Sequence, residues 1–102
     1  MASRIRYHPL FESDVLEAAA WYDRRLAGLG DNFIQMVRNS VESVIDDPER
    51  FAVSPSGCRY LRLFRFPYVL LFDVVHDELL MLGVLHTARS IEKWRERHSN
   101  WE

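Results

Sequence analysis

The spacing of apolar positions changes along the chain, and each change marks an element. Ser3–His8 alternates and stops at Pro9, which predicts a short first strand. Phe11, Val15, Ala18 or Ala19, Tyr22 and Leu26 then recur every three or four residues, one face of an amphipathic helix. Glu12, Asp14 and Glu17 crowd its first turns and Arg24 and Arg25 its last, the polarity that the helix dipole favours. Gly28 and Gly30 break this helix, Gly28 as a left-handed cap. A second stripe of Leu29, Phe33, Met36, Val37, Val41, Val44 and Ile45 predicts another helix. It closes at Asp47-Pro48, because the residue before proline avoids helical angles. So short a connection forces an antiparallel helix hairpin.

Beyond Ser54-Pro55-Ser56-Gly57, a loop, the pattern becomes strand-like. Cys58–Phe66 alternates, with Tyr60, Arg62, Phe64 and Phe66 on one face and Arg59, Leu61, Leu63 and Arg65 on the other. Phe66-Pro67 is a break, Tyr68–Val75 the next strand, His76-Asp77-Glu78 a tight turn, and Leu79–His86 the last strand. The last two strands are apolar on both faces. The helices cover one side of the sheet. The other side needs either a partner or the C-terminal helix, predicted from an N-cap at Ser90 through Arg97. The order β-α-α-β-β-β-α is that of one α+β domain over residues 1–102, a helix hairpin packed on a small, mostly antiparallel sheet.

Composition narrows the classes. A hydrophobic fraction of 48% and a charged fraction of 27% suit an ordinary globular domain, and 102 residues leave room for one core. Cys58 is the only cysteine, which fits a reducing cytoplasm. The N-terminus lacks a signal-peptide stretch, and the longest apolar runs are too short to span a bilayer, so no membrane role is expected. A net charge of −2 argues against direct DNA binding by this chain alone. Residues 1–51 hold six Arg and nine Asp/Glu, net −3; residues 52–102 hold six Arg, Lys93 and six Asp/Glu, net +1. The histidines show no metal-ligand spacing and there is no glycine-rich phosphate loop, so neither metal nor cofactor is implied.

Three segments, in order and spread from residue 14 to residue 94, carry a family resemblance. Asp14–Phe33 (DVLEAAAWYDRRLAGLGDNF) has an acidic-apolar start, the pair Trp21-Tyr22, a Leu-Gly turn and a Phe. Arg59–Val74 (RYLRLFRFPYVLLFDV) includes Arg65-Phe66-Pro67-Tyr68, and Val84–Trp94 (VLHTARSIEKW) has His86 and Arg89 ahead of Trp94. Together they resemble the ParE/RelE superfamily, the toxins of type II toxin–antitoxin (plasmid stabilisation) pairs. The resemblance implies the matching fold and a cognate antitoxin as partner. It also implies one of two targets: DNA gyrase for ParE-like members, or messenger RNA cut in the ribosome for RelE-like endoribonucleases. A third reading is an inert member that binds only the antitoxin. The acidic net charge favours the ParE-like reading, since an enzyme working inside ribosomal RNA needs a basic surface.

Under the nuclease alternative, cleavage at a 2′-hydroxyl needs a base, an acid and cations around the phosphate. His86, Arg62 and Arg89 are the residues for those roles. The commoner reading of His86 is a strand-end residue whose hydrogen bonds fix the turn into the C-terminal helix, and Arg89 reads equally as a partner of Asp14 or Glu17. Under either toxin reading, Arg62, Arg65, Arg89 and Trp94 are the residues for target or partner contact, though Trp94 packing back on the domain is the ordinary alternative. The antitoxin is expected across an open sheet face and the hairpin, meeting the arginines with Asp and Glu.

Overall fold

The alternating N-terminal residues form β1 (Arg4–Tyr7), and the two apolar stripes form α1 (Phe11–Arg25) and α2 (Leu29–Asp46). A single 3₁₀ turn at Pro48–Arg50 leads to β2 (Arg59–Arg62), β3 (Tyr68–Val75), β4 (Glu78–His86) and α3 (Ile91–Ser99). The computed structural model describes residues 4–89 and 91–99, so the predicted cap at Ser90 lies outside the described residues. The sheet order is β1-β4-β3-β2, with β1 parallel to β4 and the other neighbours antiparallel. The architecture is the predicted α+β arrangement.

Gly28 holds φ +90°, a left-handed conformation that glycine enters without a Cβ penalty. Gly30, by contrast, does not break a helix. It lies in the first turn of α2, where its N–H donates to Asp23 Oδ1 at 2.7 Å. A Cβ there would sit 2.5 Å from the Ala19 carbonyl oxygen, so this glycine lets the two helices close on each other.

β2 is shorter than the alternation predicts. Arg65 takes φ +74°, the chain turns, and the Leu63 N–H donates to the Tyr68 carbonyl at 2.9 Å. The turn returns Phe66 to the helix side of the sheet with Leu61 and Leu63, not to the face of Tyr60. Phe64 is left exposed.

Both sheet faces are covered. Phe33, Val37 and Val44 of α2 pack with Leu70, Phe72, Leu79 and Met81 on one side. On the other, Cys58, Val69, Leu71, Leu80, Leu82 and Leu85 lie beneath Tyr60 and Trp94. The cover on this second face is α3, so the expectation of an open face for the antitoxin is corrected. None of the described residues of α3 is fully buried, so polar clips do much to set its position. His98 Nε2 meets Asp73 Oδ2 at 2.6 Å. Both terminal nitrogens of Arg97 bond the Asp14 carboxylate, and one also donates to the Leu82 carbonyl at 3.1 Å.

A bulge makes room for that contact. Leu71 pairs with Gly83 but Phe72 pairs with Met81, which leaves Leu82 as the extra residue of β4. A Cβ on Gly83 would run into the Arg97 guanidinium and lie 2.9 Å from Asp14 Oδ2. Asp14 Oδ2 also accepts the Val84 N–H at 3.1 Å, so one carboxylate ties α1 to β4 and to α3.

Candidate functional site

A cleft of about 440 Å³ opens where α1 passes the ends of β3 and β4. Glu17, Trp21 and Tyr22 of α1 line one wall; Tyr68, His86 and Arg89 are among the residues of the other. The register places Tyr68 opposite His86, their rings edge to face at 5.1 Å, and the Tyr22 ring lies 6.2 Å from that of Tyr68. A larger apolar groove of about 660 Å³ runs between β1, α1 and α2, past Tyr7, Phe11, Val15 and Ile34. It holds none of the residues predicted to act.

His86 is held by the turn that follows it. Its Nδ1 accepts the Ala88 N–H at 3.0 Å, and its carbonyl accepts the Arg89 N–H at 2.9 Å. With Nδ1 engaged as an acceptor, the proton of the neutral ring sits on Nε2. The ring is therefore a hydrogen-bond donor, and adding a proton at Nδ1 would cost the turn its bond. This arrangement suits anchoring or donation and does not suit a general base.

The two phenols have no hydrogen-bond partner among the described residues. Burial raises the pKa of Tyr22 above its ordinary value of 10.0, and the neighbouring Tyr68 adds to the rise. Burial raises Tyr68 as well, with the Arg89 guanidinium pulling the other way. Both remain protonated donors at neutral pH. A phenol with a raised folded-state pKa holds its proton more tightly in the native protein than in the unfolded chain. The stabilisation linked to it is complete below the unfolded value of 10.0 and is lost as pH rises through the folded values. Stability is thus expected to fall above that pH. Tyrosinate absorbance should show a late-titrating component that disappears in the Tyr22→Phe/Tyr68→Phe chain. A titration complete by the ordinary range would contradict the burial.

The other predicted residues do not converge here. Arg62 is exposed near the end of β2, opposite Val69, with two strand spacings (roughly 10 Å) between its strand and that of His86. Arg65 is exposed in the β2–β3 turn, its guanidinium 5.4 Å from the Phe64 ring centre. Arg89 lines the cleft and makes no ion pair among the described residues; Asp14, one of its predicted partners, is taken by Arg97. Trp94 packs on the sheet beside Tyr60, ring centres 5.9 Å apart, with its Nε1 buried and without a hydrogen-bond partner among the described residues. Arg59 is a staple, donating to the carbonyls of Phe51 and Glu49 at 2.6 and 3.3 Å. Among the described residues, no three of His, Cys, Asp or Glu gather to hold a metal ion. No described helix is long and apolar enough to cross a membrane.

Sequence reasoning noted Tyr68 only as part of a family motif and gave it no site role, and it placed Tyr22 in the apolar stripe of the first helix. The two-residue turn at His76-Asp77 sets Val75 opposite Glu78. Counting back from it places Tyr68 opposite Leu85, one residue from its true partner. That count was the available signal, and the bulge supplies the missing step.

In architecture the protein is an α+β helix hairpin on a four-stranded sheet. It is similar in fold to a solved structure described as "Chromosomal ParDE TA system from P. aeruginosa". The TM-score is 0.71, with 20% identity over 81% of this chain and 94% of that one. The family model described as "ParE toxin of type II toxin-antitoxin system, parDE" matches residues 5–91, and the chain belongs to that family. Only the first residue of α3 falls within that match. No curated protein matches the chain.

Proposed function

We propose that this chain, as one domain over residues 1–102, poisons DNA gyrase in the cytoplasm and is neutralised by direct binding of a cognate antitoxin. The observation that carries this reading is the ParE family match over residues 5–91. The description of the similar solved structure as a ParDE TA system supports a protein antitoxin as partner. Two features favour gyrase over messenger RNA. The net charge of −2 is unfavourable for entry into an RNA-lined site. His86, the one histidine in the cleft, is engaged through Nδ1 and is poorly placed to act as a base.

The test is induction of the toxin without antitoxin, with message integrity on translating ribosomes and supercoiling by purified gyrase measured together. Gyrase inhibition with intact messages is the expected result. Cleaved messages with normal supercoiling would replace this reading with the nuclease one, and unchanged growth would identify an inert member. Arg62 and Arg89 are exposed, so Arg62→Ala and Arg89→Ala should leave stability within about 0.5 kcal/mol. Each should weaken inhibition about tenfold, on the order of 1.4 kcal/mol. Undiminished growth arrest in both variants would remove these arginines from the target surface.

A further inference from the structure

The cleft beside α1 collects hydrogen-bond donors that nothing among the described residues uses. Tyr22 and Tyr68 line it with no hydrogen bond among the described residues. His86 adds an Nε2 proton, because its Nδ1 is committed to the Ala88 N–H. Arg89, exposed at the mouth, lies close enough to Tyr68 to act on its ionisation, and no carboxylate among the described residues pairs with it. Three neutral donors and one unspent cation around one cleft define a seat for an oxyanion.

The charges of the walls decide which oxyanion. Asp14 is neutralised by Arg97, but Glu17 stands exposed on the α1 wall with its negative charge. Glu17 and the net charge of −2 oppose a polyanion, whereas a single carboxylate needs one cation and finds Arg89. The rest of the wall is apolar and aromatic, with Ala18, Trp21, Val84 and Leu85, which suits the side chain and backbone that carry such a group. We infer that this cleft receives the side-chain carboxylate of one Asp or Glu from a protein partner, held by Arg89, Tyr68, Tyr22 and His86. The inference rests on the reading that the chain is neutralised by a protein antitoxin, which would supply that residue.

The probe is the blocked tripeptide Ac-Ala-Glu-Ala-NH2, titrated into the full chain while the Trp21 indole and Arg89 side-chain NMR signals are followed. Saturable shifts of both are expected. Ac-Ala-Gln-Ala-NH2, which keeps the shape and loses the charge, should bind about tenfold more weakly, and Arg89→Ala should weaken the Glu peptide by a similar factor. Tyr68→Phe, which keeps the ring and removes one donor, should weaken it less. Unmoved signals, or equal affinity for the Glu and Gln peptides, would overturn the inference. Tighter saturation of the same signals by a short oligouridylate would also overturn it and assign the cleft to nucleic acid. Gyrase inhibition is read separately. A chain that arrests growth but ignores the Glu peptide loses only this inference, and one that binds the peptide but spares gyrase loses only the choice of target.

Discussion

Asp14→Ala is expected to destabilise the protein by about 3–5 kcal/mol, the usual cost of removing one partner of a buried ion pair. The side chains of Arg97 and Asp14 are only 12% and 13% exposed, and both guanidinium nitrogens in contact bond the carboxylate. Removing the carboxylate strands a cation over the sheet and leaves the Val84 N–H without its acceptor. In a domain of this size each kcal/mol corresponds to about 4–8 °C, so the thermal midpoint should drop by more than about 12 °C. Arg97→Met removes the cation and fills much of its volume, so Asp14→Ala/Arg97→Met should cost clearly less than the two single changes added together. Thermal unfolding of the four proteins measures this. Additive losses would mean that the two groups act independently, and the clip holding α3 would have to be abandoned.

Phe33→Ala is expected to cost a further, independent 3–5 kcal/mol or so, typical of deleting a buried aromatic ring. Phe33 is 0% exposed and is ringed by Tyr22 at 5.5 Å, Phe66 at 5.1 Å and Tyr68 at 5.0 Å. These neighbours come from α1, the β2–β3 turn and β3, so the ring joins the hairpin to the sheet directly behind the cleft. The void should also let water reach the two phenols, moving the late tyrosinate titration back toward its ordinary range. Urea unfolding and alkaline absorbance titration on the same variant test both effects. A loss below about 1 kcal/mol, with the titration unchanged, would show that the aromatic cluster closes around the gap.

The helices were legible because a helix with one buried face writes its period into the chain, as Phe33, Val37 and Val44 do. The hairpin turn was legible in place, and His76 and Asp77 adopt φ of 49° and 65°, the paired positive values of a two-residue turn. The end of β2 was not legible, since Arg65 at φ +74° is an ordinary residue in an unusual conformation and leaves no mark in composition. Gly30 looked like a breaker because the sequence cannot separate a glycine that ends a helix from one that admits a neighbour. Of the cleft, His86 and Arg89 were found by spacing within one strand end. Tyr22 and Tyr68 were not placed there, because they arrive from other elements.

By itself the sequence determined the kinds and order of the elements, the apolar faces of α1 and α2, and the family motifs along the chain. These depend on residues within about four positions of one another, where periodicity and turn chemistry act. The tertiary structure alone decided three things. It placed the bulge at Leu82 within a run of Leu79–Leu85 whose unbroken apolar character gives no clue to a slipped register. It set α3 over the second sheet face, through a pair whose members lie 83 positions apart. And it brought two phenols, an imidazole and a guanidinium to one cleft, because register and helix packing, not local pattern, determine which distant side chains meet.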